Sequence, residues 1–208
     1  ESVELIKKQE IAVVVLDRTV PVKDVDMIRG DSAGGAHVLT QHLLDLGHKA
    51  ITMLAGPRDV STAYERVVGF RQAMQEAGLT FNEDNVIWGE FTQESGQKMT
   101  EKVLASTPRA TAIFAANNFI AIGALRAIRK AGLQVPEDIS LVSFDDLPEA
   151  LSAEPFITNV AQPTYKMGHE AANLLIARMK GDTSQEYHTI LLPTELIIRR
   201  SSGPPSNQ

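Results

Sequence analysis

The feature that most restricts how this chain can fold is an alternation. Short apolar runs rich in β-branched residues are followed, one after another, by stretches whose apolar residues recur at helical spacing. The runs are IAVVVLD (Ile11–Asp17), ITMLAG (Ile51–Gly56), NVIWGE (Asn85–Glu90), TAIFA (Thr111–Ala115) and ISLVSF (Ile139–Phe144). Between them, Ser32–Leu46 carries Ala36, Leu39, Leu43 and Leu46 on one helical face and stops at Gly47. Thr62 and Glu65 form a candidate capping box ahead of Val67, Phe70, Met74 and Ala77, and Gly78 ends that helix. Thr92 can cap a helix through Ser106, which Pro108 prevents from continuing. Asn117 or Asn118 caps another, with Ile122, Leu125 and Ile128 inward and a stop at Gly132. Met167–Lys180 reads as a helix ending at Gly181. HTILLPTELIIRR, 188–200, reads as strands interrupted by Pro193. Such β-α alternation calls for an α/β fold, a parallel sheet with helices on both faces. The closing SSGPPSNQ reads as a disordered end. The opening ESVELIKK reads as the end of a helix with no strand before it, so the chain is expected to be a fragment.

Composition removes several classes of function. Apolar residues make up 43% of 208 and no run is long enough for a membrane span, which sets the expectation of a cytoplasmic protein. Glu1–Glu10 is charged and lacks the apolar core of a secretion signal. There is no cysteine, hence no disulfide and no thiolate metal site. The net charge is −6, and the basic residues are scattered; the densest are Arg126, Arg129 and Lys130, then Arg199 and Arg200. Nucleic acid is held largely through its phosphates, so this chain alone is expected to bind DNA weakly or not at all.

Open parallel α/β sheets bind ligands outside the carboxyl ends of their strands. The segments after the runs supply Asp17 and Arg18, then Thr62 and Arg66, then Glu90 and Phe91, then Asn117 and Asn118, then Asp145 and Asp146. No glycine-rich phosphate loop accompanies them. Carboxylates accept from hydroxyls, arginine donates in a fork, and an aromatic face covers C–H surface, so this palette suits a neutral, hydroxyl-rich ligand. Each residue also has a structural reading. Asp146 and Asn118 serve as helix caps, Phe91 as core, Arg66 as a surface ion pair and Asp17 as the end of a strand. No nucleophile, base or metal set assembles. The histidines, at 37, 42, 48, 169 and 188, lie in helices or at their edges, and no cofactor or enzymatic activity is expected.

Taken in order, IAVVVLDR, HLLDLGHKAITMLAGP, ERVVGFRQAMQEAGL, TAIFAANNFIAIGALRAIRKAGLQVPEDISLVSFDD and TNVAQPTYKMGHEAANLL closely resemble the effector-binding core of the lactose-repressor (LacI/GalR) family of transcriptional regulators, from about Ile11 to Arg200. The resemblance implies a type I periplasmic-binding-protein-like fold of two doubly wound parallel-sheet lobes with ligand between them. The first lobe, incomplete, would hold 1–30 and 163–190, and the second 31–162 and 191–208. It implies a repressor-type sensor for a small effector (a sugar, polyol or nucleoside), acting on operator DNA only through an absent N-terminal helix-turn-helix head. A homodimer is implied, with helices around 118–130 and the segment after Asp146 as interface candidates. A solute-binding receptor of a sugar transport system is the alternative. Carried over by position, Arg66 matches an arginine that reaches the ligand and Asp145 an acid that pairs with its hydroxyls. Phe91 matches an aromatic lying on its ring and Asn117 an amide nearby. Thr62 matches a position where some members contact ligand, Gln162 sits at a lobe crossover near the site, and Asp17 matches less closely. The family usually reads Asn-Asp where this chain has Asn117-Asn118.

Overall fold

A computed structural model describes residues 2–146, 155–181 and 186–206. The chain divides into two compact units, one holding 1–31 and 162–194, the other 32–161 and 195–208. Residues 191–194, assigned above to the second lobe, fall in unit 1 because their strand pairs there. Asp31 and Gln162 also fall in unit 1; the Asp31 N–H bonds the carbonyl of Leu192.

In unit 1, α1 (Ser2–Lys8) is followed by β1 (Val14–Leu16) and β2 (Asp26–Gly30), and later by α6 (Thr164–Met179) and β8 (Thr189–Leu192). Among the described residues its sheet has the order β1-β2-β8, all parallel, with Ile28 paired to Leu16 on one side and Ile190 on the other. The core is small: Ile28, Met167 and Leu192, with Val14, Ala171, Leu174 and Ile190 packed around them. β2 is not foreseen from the sequence, where it reads as turn. Its alternating burial begins with a charged residue, Asp26, at 0% exposure. Arg178 of α6 grips that carboxylate through Nε at 2.8 Å and Nη2 at 3.1 Å, and the His188 N–H adds a third bond at 2.9 Å. Burial pushes the Asp26 carboxyl up, but the Arg178 and His188 bonds and the guanidinium charge outweigh it and hold it below the usual range. α6 starts three residues before the Met167 read from the sequence, and Gly181 at φ 83° closes it as expected.

In unit 2, α2 (Ser32–Asp45), β3 (Ile51–Ala55), α3 (Ser61–Glu76), β4 (Val86–Trp88), α4 (Gln93–Ala105), β5 (Ala112–Ala115), α5 (Asn118–Lys130) and β6 (Ser140–Phe144) alternate as anticipated. β7 (Thr158–Ala161) and β9 (Glu195–Ile197) complete a sheet of order β4-β3-β5-β6-β7-β9, parallel except for β9 against β7. β5 and β6 are buried at every residue, the property expected of strands covered on both faces. The largest hidden side chains include Phe70, Phe114 and Phe144, each stabilising by roughly 1.5–3 kcal/mol on burial. α4 and α5 meet closely: a Cβ on Gly123 would lie 2.0 Å from the Gln93 carbonyl, so a side chain there would force the helices apart.

Local expectations fared unevenly. Thr92 caps α4 by accepting from the Ser95 N–H, and Asn117, the first of the two asparagines, caps α5 by accepting from Ile120. The Thr62–Glu65 box does not form; Val60 is the N-cap of α3 and makes no side-chain cap, leaving Thr62 inside the helix. In α5 the inward face is Ile120, Ala124, Ala127 and Ile128, while Ile122 and Leu125 are only half-buried. The C-terminal segment is not disordered through residue 206. Ser201 is fully buried; its hydroxyl accepts from Thr158 N–H and donates to the Leu141 carbonyl, and its own carbonyl accepts from Leu141 N–H. Buried His48 then binds Thr111, Ser140 and the Gly203 carbonyl. Burial and the neighbouring His42 lower the His48 pKa, overcoming the Gly203 bond. The segment directly after Asp146, offered above as a short helix and an interface candidate, lies outside the described residues through 154. No helix among the described residues is long and apolar enough to cross a membrane.

Candidate ligand-binding site

Parallel pairing brings the carboxyl ends of β3, β5 and β6 side by side, with Leu54 beside Ala115 and Ala115 beside Ser143. The helix that follows β3 sends Arg66 to this edge. Arg66 is 3% exposed. A buried guanidinium needs acceptors and a counter-charge. One nitrogen, Nη1, donates to the Ala116 carbonyl at 2.7 Å and lies 3.6 Å from the Asp145 carboxylate. Its guanidinium carbon sits 3.7 Å from the centre of the Phe144 ring, close enough for a cation–π interaction. The arginine is therefore fixed from three directions before any ligand arrives.

Asp145 follows the last residue of β6. Its backbone takes the left-handed conformation, φ 64°, while its N–H still bonds the Val160 carbonyl at 2.8 Å. That turn lifts the side chain out of the buried strand, to 28% exposure. The 3.6 Å separation from Arg66 exceeds a charge-assisted hydrogen bond, so the guanidinium acts on this carboxylate mainly through its charge.

Thr62 and Arg66, four apart, share a face of α3, and Thr62 is buried at 4% exposure. Phe91 is half-buried and packs on the core, with its ring where a side chain on Gly56 would be: a Cβ there would lie 2.3 Å from the ring. Glycine at 56 is thus what admits the ring. Asn117 sits at the end of β5, where its side-chain oxygen caps α5, so its structural and site placements coincide. Unit 2 brings together Arg66, Asp145, Asn117, Thr62 and Phe91 on the segments that leave its strands. Asp17 and Gln162 belong to unit 1. Asp17 follows β1 with φ 67°, its N–H bonded to the Ile28 carbonyl. Gln162 lies over Gly30, where an added Cβ would meet its Oε1 at 2.3 Å.

The segment that Asp146 is expected to cap lies outside the described residues. The Asp146 carboxylate forms a bidentate pair with Arg199, at 2.7 and 2.9 Å, and Arg199 also donates to Ile157 and Asn159. Asn118 donates its amide to the Asp146 carbonyl at 2.8 Å. An aspartate at 118 could not donate this bond. Arg199, 53 residues from Asp146, and Phe144, an apolar strand residue, are contributors that sequence reasoning missed. Nothing in the spacing marks the first, and burial alone explained the second. The histidines take structural bonds: His37 to Glu76, His42 to Ser202, and His48 as above. Among the described residues, no group of three or more His, Cys, Asp or Glu could hold a metal.

A family model described as "Periplasmic binding protein-like domain" matches residues 40–202. The chain is 39% identical to the HTH-type transcriptional regulator CelR of Thermobifida fusca over 182 residues, 88% of this chain and 53% of that protein. It is 35% identical to the HTH-type transcriptional repressor PurR of Haemophilus influenzae, over 97% of this chain and 60% of that protein. The chain thus spans about half to three-fifths of the length of these curated relatives. Among solved structures, a CelR–cellobiose complex superposes with a TM-score of 0.88 at 36% identity, covering 95% of this chain and 61% of that one. A LacI-family regulatory protein of Chloroflexus aggregans superposes at 0.84 with 34% identity, covering 97% and 72%.

Proposed function

Because this chain belongs to the periplasmic binding protein-like domains of LacI-family transcriptional regulators, we propose that it is the effector-sensing domain of a repressor. In the whole protein, occupancy by a small hydroxyl-rich ligand, a sugar or a related polyol or nucleoside, controls DNA binding by a helix-turn-helix segment, and the protein acts as a homodimer. The regulator relatives favour this reading over a transport receptor. The observation that carries it is the Arg66–Asp145 pair: a buried, pre-oriented guanidinium beside a partly exposed carboxylate at the strand ends. Asp145 accepts from ligand hydroxyls, Arg66 donates to ligand oxygen, and Phe91 covers a C–H face. Thr62 and Asn117 are proposed as further polar contacts. Asp17 and Gln162 are put forward as contacts contributed by unit 1.

Energetically, sensing requires only that the ligand favour one of two conformations. Arg66 and Asp145 shift that balance to the extent that their bonds to ligand form in only one of the two conformations. The test is thermal stabilisation of this chain by a panel of mono- and disaccharides and nucleosides that includes cellobiose. At least one is expected to raise the melting temperature, and both Arg66→Ala and Asp145→Ala are expected to abolish the rise, since each loses a charged hydrogen bond of about 1.5–3 kcal/mol. A full rise in both variants removes these residues from the site.

A further inference from the structure

A second concavity, of about 280 Å³, opens beside β4, the strand at one edge of the sheet of unit 2. Tyr64, Val67 and Arg71 line it from α3, and Trp88 from β4. At 3.6 residues per turn, positions 64, 67 and 71 fall on a different face of α3 from Thr62 and Arg66. The Arg66–Asp145 pair sits at the ends of β5 and β6, away from this edge.

The lining is unusual in its chemistry. Arg58 stacks on the Trp88 ring, 4.7 Å from its centre, and Arg71 on the Phe81 ring at 4.8 Å. Stacking sets Arg71 against the wall and leaves Arg58, which is exposed, over Trp88 at the rim. The Arg71 Nε and the Trp88 indole N–H are both buried and have no hydrogen-bond partner among the described residues. The one carboxylate in the lining, Glu83, is well exposed and reaches only Arg58, at 4.0 Å, a distance at which a solvent-exposed pair is weak. Val67 and Val86 supply apolar wall, and Tyr64 is 54% exposed at the rim. In a chain of net charge −6, a concavity with two guanidiniums and an apolar wall is complementary to one kind of occupant.

We propose that this concavity is a second ligand site, separate from the strand-end site, for a small organic anion: a compact apolar body bearing one acidic group. The acid group meets Arg58 and Arg71, and the body packs on Val67, Val86 and Tyr64. Trp88 is the only tryptophan in the chain, so the tryptophan emission comes from this wall, and the Arg58 and Arg71 variants assign a change to this site. The experiment titrates the full chain with cyclohexanecarboxylate, with cyclohexylmethanol as the neutral analogue and acetate as the acid without the body. The expected result is a saturable change in Trp88 emission with cyclohexanecarboxylate only, weakened about tenfold or more in Arg58→Gln and in Arg71→Gln. Arg58 is exposed, so its variant keeps the test alive if Arg71→Gln fails to fold. The proposal is overturned by the absence of a saturable change, by an equal response to the alcohol or to acetate, or by a response that survives in a folded variant.

Discussion

Water reaches no residue of β5 or β6 in unit 2 beyond the buried range, whereas no strand of unit 1 is buried along its whole length. The two units share one construction rule, strand then helix, yet cohere by different means. Unit 2 closes on three hidden phenylalanines, two of which, Phe70 and Phe114, meet edge to face with centroids 6.2 Å apart. Unit 1 clusters only Ile28, Met167 and Leu192 among its described residues and puts a charged pair, Asp26 with Arg178, where a larger core would have hydrocarbon. A small apolar core cannot tolerate an unpaired carboxylate, so the second depends on the geometry of one arginine far more than the first depends on any one methyl group.

The sharpest way to break that contrast is in unit 2. Phe114→Ala removes a fully buried ring and is expected to cost about 3–5 kcal/mol, measured by denaturant titration. In unit 1, Arg178→Ala leaves Asp26 buried without its cation and is expected to cost about 3 kcal/mol, near the low end for a buried pair because the His188 N–H remains. Hydrogen exchange separates the two: amides of β2 and β8 should lose protection while those of β5 and β6 keep theirs. Equal loss in both units would show that they unfold as one. The Asp26 pair also carries a pH signature. Its folded pKa lies below the ordinary 3.8, so its stabilisation is complete above that pH and is lost as pH falls through the lowered value. The smallest effect belongs to His48, whose folded pKa lies below 6.5. Its contribution is complete above pH 6.5 and declines as pH drops, because the unfolded chain takes up the proton first. The melting temperature of unit 2 should fall on acidification from there, and His48→Gln should flatten that slope.

How far the sequence could be read follows the same division. In unit 2, continuous apolar runs announce β3, β5 and β6, and short polar residues at the right offset announce the caps at Thr92 and Asn117. β2 and β7 escape because DMIRG and TNVA carry charged and amide residues whose partners, Arg178 and Arg199, lie far along the chain. The packed C-terminal segment escapes for a related reason. Serine and glycine look like solvent-facing chain until Ser201 and Gly203 are seen against Leu141, Thr158 and Ser140. At the site, strand-end placement and family resemblance bring out Arg66 and Asp145. The ring of Phe144 beneath the guanidinium, and Arg199 behind Asp146, depend on distances that no local pattern encodes.

The left-handed turn at Asp145 has a bearing on how such a sensor can diversify. At φ 64° the backbone admits few side chains without strain, and asparagine is one of them. A change to asparagine would erase the negative charge at the proposed ligand site while leaving the course of the chain intact. A sensor that uses this position as proposed could lose that charge in a single step, whereas any β-branched residue would have to bend the strand end first.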